Sequence, residues 1–174
     1  GTLYIKAGNH GTNLIDQYIE NYTFTGGGST INVKNSFGGE IRFLNAVNGT
    51  GTNLSNDIII LNNSVYVNSS KTGLNKSANI TLYNIGTYTV ASAYRDGVIC
   101  PSSICSNLQN LNGGNYSFSV TGFSNYSIGE LNNSNITDCI ELSYPNLVYT
   151  LTQNINSGGT CFNITANNVT LNGN

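Results

Sequence analysis

The chain has 174 residues, a mass of 18.5 kDa and a net charge of −2, with 8% of residues charged but 31 Asn and 36 Ser or Thr, so neutral hydrogen-bonding groups do the solvating. This length holds one full β-sandwich or two small domains, and the charge pattern argues against nucleic acid as a partner because the six basic residues are scattered from Lys6 to Arg95 against eight acids. Eleven Tyr and six Phe exclude disorder, and the longest aliphatic run, Ile58-Ile59-Ile60-Leu61, is far short of the roughly 20 residues of a membrane span.

Period-two alternation, β-branched and aromatic enrichment and frequent turn residues predict an all-β fold of the sandwich or barrel kind. In chain order, strands are expected at Thr2–Lys6, Glu20–Thr25, Thr30–Lys34, Glu40–Leu44, Asp57–Leu61, Ser64–Asn68 and Ala78–Tyr83. More follow at Thr87–Tyr94, Val98–Cys100, Ser103–Leu108, Tyr116–Thr121 and Tyr126–Ile128. One segment competes for helix: in Thr12–Tyr22 the residues Leu14, Ile15, Tyr18, Ile19 and Tyr22 recur at helical spacing behind Thr12 or Asn13 as N-cap. Gly26-Gly27-Gly28 reads as a loop and not a phosphate cradle, since no Gly-Lys-Ser/Thr follows. Arg95-Asp96-Gly97 and Asn112-Gly113-Gly114 read as hairpin turns. From Asn132 onward the pattern changes to short strands, Val148–Thr152, Cys161–Thr165 and Asn168–Leu171, separated by Asn- and Gly-rich corners like those of parallel β-coils. A domain boundary is expected near residue 131.

The chain begins at Gly1 with no basic or apolar leader, so any export signal is expected to have been removed already or to lie in a longer precursor. Its last residues, Val169 to Asn174, read as a strand whose partner is expected outside this sequence, as in a piece of something larger. The four cysteines lack CxxC spacing and have only His10 as a companion histidine, which argues against zinc and for disulfides in an oxidising, extracytoplasmic setting. Of the three connectivities, Cys100–Cys105 with Cys139–Cys161 is favoured: the first pair closes a short Pro-Ser-Ser-Ile loop, and the second spans about one β-coil. Buried thiols acting as small hydrophobes are the alternative.

Thirteen Asn residues stand in Asn-x-Ser/Thr: Asn21, Asn48, Asn53, Asn62, Asn68, Asn75, Asn79, Asn115, Asn125, Asn132, Asn135, Asn163 and Asn168. Composition alone predicts roughly six of these acceptor motifs. Strand geometry also generates the pattern, because residues i and i+2 share a face, and eight of the middle residues are Tyr, Leu, Ile or Val. Under both readings the Asn side chains face solvent, and N-linked glycans are expected on several of them.

Reactive groups are sparse, and no catalytic, cofactor or metal site is expected. His10 sits in a Gly-Asn-His-Gly-Thr turn without a triad partner nearby, and no Asp-x-Asp-x-Asp-Gly calcium loop occurs. Glu130, Asp138 and Glu141 are the acids of the C-terminal region, where a glycosidase pair would have to lie, and a salt-bridging or solubilising role suits them better. Tyr116 and Tyr126 have the chemistry to stack on sugars, yet they sit at alternating strand positions that suit a core.

The block from Ser64 to Ser70, then Gly73 to Tyr83, Arg95-Asp96-Gly97, Cys100-Pro-Ser-Ser-Ile-Cys105 and Phe118 to Tyr126 resembles an immunoglobulin-like module of large archaeal cell-surface proteins. The tail, with Cys139, Val148-Tyr-Thr-Leu-Thr152 and Gly159 to Gly173, resembles the start of right-handed parallel β-helix repeats in the same kind of protein, departing from them at Asn172, where the repeat carries Asp. The resemblance covers about residues 57–174. It implies three parts: a leading β-rich segment over 1–56, an immunoglobulin-like module over 57–130 and a β-helix-like or exchanged-strand segment over 131–174. It further implies an exported, glycosylated protein of S-layer, appendage or adhesin type, with no catalytic residues to carry over. The function expected is therefore a non-enzymatic structural subunit of a surface filament or S-layer, assembling with copies of itself by strand pairing through segments such as Thr2–Lys6 or Val169–Leu171. An adhesin or carbohydrate-binding module is the alternative.

Overall fold

The computed structural model describes residues 2–5, 12–25, 30–131 and 133–173; Lys6, His10, the Gly26-Gly27-Gly28 loop and the sequon at Asn132 lie outside the described residues. The elements are β1 (Thr2–Ile5), β2 (Thr12–Ile15), β3 (Asn21–Thr25), β4 (Ile31–Asn35), β5 (Gly39–Phe43), β6 (Asn48–Gly51), α1 (Leu54–Asp57), β7 (Ile58–Leu61), β8 (Ser64–Val67) and β9 (Ala78–Leu82). They continue with β10 (Ala91–Arg95), β11 (Val98–Ile99), β12 (Cys105–Asn110), β13 (Tyr116–Val120), β14 (Asn125–Glu130), β15 (Asn133–Ile136), β16 (Ile140–Leu142), β17 (Val148–Leu151), β18 (Phe162–Ile164) and β19 (Thr170–Asn172). The fold is all-β, with one helical turn among the described residues.

Residues up to Thr87 together with Ser92–Gly129 form one compact unit. Its largest sheet has six strands in the order β12-β13-β9-β5-β4-β2, and a second has five in the order β11-β10-β14-β8-β7. Alternation explains the six-stranded sheet row by row. Leu14, Val33, Ile41, Ile80 and Phe118 stand opposite one another across five strands, and all point inward. The neighbouring row on the other face is polar from β4 to β12, with Lys34, Glu40, Thr81, Ser117 and Gln109, and ends on β2 at the exposed Ile15 opposite Lys34. The two sheets meet through aromatic rings: Phe118 of β13 stands edge-on to Tyr126 of β14 at 6.0 Å, and Phe123 lies 5.3 Å from Phe43 of β5. These packed sheets make a β-sandwich.

The boundary expected between residues 56 and 57 falls inside this sandwich, because β2, β4 and β5 of the leading segment supply half of the six-stranded sheet. The expected helix over Thr12–Tyr22 is replaced by β2 and a loop. Leu14 faces Val33 in a parallel pairing with β4, and that ladder overrides a weak helical spacing. A third sheet, β1-β3-β6, holds β1 parallel to β3. Thr2 lies opposite Asn21 and Thr12 opposite Ile31, so the chain makes a coil of 19 residues that adds one parallel strand to each of two sheets. Tight turns fall where the turn residues predict them. Asp96 (φ 52) and Gly97 (φ 82) form the two-residue connection of the β10–β11 hairpin.

Tyr88–Ala91 and the residues from Glu130 onward form the other unit. All its strand pairs are parallel: β15-β17-β19 in one sheet and β16-β18 in the other. Val148 stands opposite Thr170 and Ile140 opposite Phe162, an offset of 22 residues in both pairs, whereas the first pairing, Asn133 opposite Val148, is offset by 15. Its core is small, made of Leu131, Ile136, Leu142, Leu147 and Tyr149. The strand at Val169–Leu171, expected to find its partner outside this sequence, pairs with β17 within the chain, and β1 pairs with β3. In both cases the coil path brings the chain back alongside itself.

Candidate functional site

In the first unit β7 packs against β4 and β5, so β2 lies beyond the edge of the five-stranded sheet. A groove of about 360 Å³ opens at this place. Its apolar lining comes from Leu14 and Val33 on the six-stranded sheet and Ile58, Ile59 and Ile60 on β7. Tyr18, 67% exposed, stands beside it, and Ile15 is 49% exposed on β2. Among the described residues, no strand pairs with the outer edge of β7, which is the last strand of its sheet. The groove thus combines an open row of main-chain groups with an apolar trough, the two features an added strand uses.

Asp16 in the same groove has a left-handed backbone (φ 48), and its carboxylate accepts hydrogen bonds from Ser36 Oγ (2.5 Å) and Ser36 N (2.7 Å). Those bonds favour the charged form and hold its pKa below the ordinary value of 3.8. Asp96 is held low in the same way, first by Ser124 Oγ at 2.5 Å and also by Asn125 N at 3.3 Å. A depressed carboxyl stabilises the fold above its unfolded value and loses that contribution as pH falls through its folded value. Thermal unfolding measured from pH 6 to pH 2 is therefore expected to hold steady above about pH 4 and to decline below it. The decline should be shallower in the double variant Ser36→Ala and Ser124→Ala; an equal decline contradicts the assignment.

The acids weighed as a glycosidase pair, for which a salt-bridging or solubilising role is expected, are engaged locally. Glu130 accepts from the amides of Thr89 and Val90, both at 2.7 Å; Asp138 accepts from Cys139 N at 2.7 Å; and Glu141 accepts from Thr165 Oγ at 2.7 Å. No cluster of His, Cys, Asp and Glu suited to a metal occurs among the described residues. Tyr116 and Tyr126 are buried, 1% and 0% exposed, so they belong to the core and are not available to sugars. Burial is the first cause that raises the Tyr126 hydroxyl above its ordinary value. Tyr83, on the polar side of the six-stranded sheet, is pushed up to about 12 by burial and by Glu40, which its hydroxyl meets at 3.1 Å. No family model, curated protein or solved structure matches the chain.

The structure pairs Cys100 with Cys105 and Cys139 with Cys161, and no described cysteine is free. Cys139 immediately precedes β16 and Cys161 immediately precedes β18, so the second bond joins equivalent positions of adjacent coils, with Cα atoms 4.6 Å apart. That separation is the spacing of neighbouring strands. No helix among the described residues is long and apolar enough to cross a membrane.

The twelve described sequon asparagines fall into distinct surroundings. Asn21, Asn62, Asn135 and Asn163 are exposed, with no side-chain hydrogen bond among the described residues, and Asn48 is exposed with its side chain against Gly73. Asn75, Asn79, Asn115 and Asn125 accept through Oδ1, from Phe123 N, Ser119 Oγ, Asn84 N and Ser64 Oγ respectively. Asn53 caps α1, accepting from Asn56 N at 3.0 Å while its Nδ2 lies 3.5 Å from Tyr18 Oη. Asn68 and Asn168 donate through Nδ2, both at 2.8 Å. The helical turn at α1 was missed in the sequence because its one signal, Asn53 ahead of Asn56, is lost in a chain with so many Asn residues.

Proposed function

We propose that this chain is a non-enzymatic, extracellular structural glycoprotein of the archaeal surface type, a subunit of a filament or S-layer that assembles by strand pairing between copies. The observation that carries this reading is the apolar groove beside the open edge of β7, and its occupant is a strand of a second copy. A sixth strand on the five-stranded sheet would face β2 and cover Leu14 and Val33. The gain is apolar burial plus main-chain hydrogen bonds, with no charged contacts required of a chain that has so few charges. None of the twelve described sequon asparagines is among the residues that line the groove.

Two disulfides fit an oxidising compartment. The 22-residue parallel repeat supports a β-helix reading of the second unit, and the packed antiparallel strands support an immunoglobulin-like reading of the sandwich. Val33→Lys places a charge in the groove on a half-buried position where a long side chain can reach water. It should abolish polymers in sedimentation while the monomer keeps the β-sheet circular dichroism of the parent. Polymers of unchanged size from this variant contradict strand addition at the groove.

One observation favours the alternative, a carbohydrate-binding module. A depression of about 380 Å³ on the polar side of the six-stranded sheet is lined by planar polar groups, including Glu40, Arg42, Asn79, Asn107 and Gln109. Isolated particles that retain an oligosaccharide on a glycan array would favour that reading.

A further inference from the structure

The acceptor tripeptides of this chain are not chemically equal once it is folded. N-glycosylation joins a sugar carbon to Nδ2, which then keeps one hydrogen in place of two and needs open space beside it, whereas Oδ1 remains a carbonyl and goes on accepting. An asparagine whose Oδ1 alone is engaged therefore tolerates the modification. One whose Nδ2 is turned into the protein does not.

Asn68 is of the second kind. Asp57 is 7% exposed, and its carboxylate is held by two neutral donors: Tyr22 Oη reaches Oδ2 at 2.8 Å and Asn68 Nδ2 reaches Oδ1 at 2.8 Å. The main chain repeats the contact, with Asn68 N donating to Asp57 O at 2.8 Å. Burial and the adjoining carboxylate together push the Tyr22 hydroxyl well above its ordinary value, so it remains a donor to Asp57. The other end of the Asn68 amide is occupied as well. Its Oδ1 accepts from Ser70 Oγ at 2.6 Å and Ser70 N at 3.2 Å, and Ser70 is the hydroxyl residue of its own sequon. A sugar on Asn68 would have to share the space between its nitrogen and a buried carboxylate, and withdrawing that donor leaves the carboxylate underbonded.

Asn168 is engaged in a different way. Its backbone is left-handed (φ 54), as is that of Asn146 (φ 62), which lies 22 residues earlier, one coil away. Asn168 Nδ2 donates to Asn146 Oδ1 at 2.8 Å, stacking one bend upon the next.

We infer that Asn68 and Asn168 are structural asparagines that stay bare, and that the sugar is carried by the open sites Asn21, Asn62, Asn135 and Asn163. This allocation rests on the glycoprotein reading above. Glycopeptide mapping of the native protein by mass spectrometry should find glycan at those four sites and unmodified Asn at 68 and 168. Glycan on Asn68 or Asn168, or glycan confined to sites outside the four, overturns the allocation. A protein bare at every sequon overturns the glycoprotein reading and the four assignments with it, and a second measurement still decides the structural role. Asn68→Ala should lower the melting temperature by roughly 5 °C or more, while Asn62→Ala leaves it unchanged. Equal melting of the two variants overturns the role given to Asn68.

Discussion

Replacing Cys139 and Cys161 by Ser is expected to destabilise the second unit by about 3 kcal/mol, the chain-entropy value for a bond that closes a loop of some 22 residues. The second unit has only five buried apolar side chains to set against the ordering of its coils, so this loss is a large share of its stability. Hydrogen exchange should show amides of β16, β18 and β19 losing protection first, while β9 and β13 keep theirs. The Cys100–Cys105 bond closes a much shorter loop, with a sequence separation of 5, and the same substitution there is expected to cost about 2 kcal/mol. Equal protection of the coils with and without the Cys139–Cys161 bond would show that the stacked strands need no such link.

Ile80→Ala is expected to destabilise the sandwich by about 3 kcal/mol. Ile80 is 0% exposed and stands between Ile41 of β5 and Phe118 of β13, in the middle of the inward row of the six-stranded sheet. Truncation removes its contacts with both neighbours and leaves a void that the surrounding side chains fill only in part. Asn79→Ala, one residue earlier and on the polar side of the same strand, removes only a bond with Ser119 and should change stability by less than about 1 kcal/mol. Chemical denaturation of the two variants separates these effects; similar midpoints would mean that the row is not the core.

Alternation made most strands legible, since residues such as Ile80, Phe118 and Tyr126 face inward while their neighbours carry Asn, Ser or Thr. It failed where apolar side chains lie on the open side of a strand. Ile15 and Tyr18 complete a helical spacing with Leu14 and Ile19, yet they are exposed while Leu14 and Ile19 point inward. β6 was invisible for the opposite reason: Asn48-Gly49-Thr50-Gly51 has no apolar residue, and it is a strand only because β3 supplies its ladder. Parallel registers of 19 and 22 residues are long-range facts that no local pattern contains. The cysteine spacing carried a trace of the second one, because a bond between equivalent points of adjacent coils spans one repeat. The groove itself left no mark in the sequence, since its lining comes from segments that are joined only by the fold. The sequons were plain to read, but the partners that set Asn68 and Asn168 apart, Asp57 and Asn146, lie 11 and 22 residues away.

Strand addition between copies is the central claim, and negative-stain electron microscopy of the purified chain, with both disulfides formed, tests it most directly. Ordered fibres or sheets with a regular subunit repeat are the predicted result. Isolated particles at every concentration, with no repeat along any axis, would contradict it.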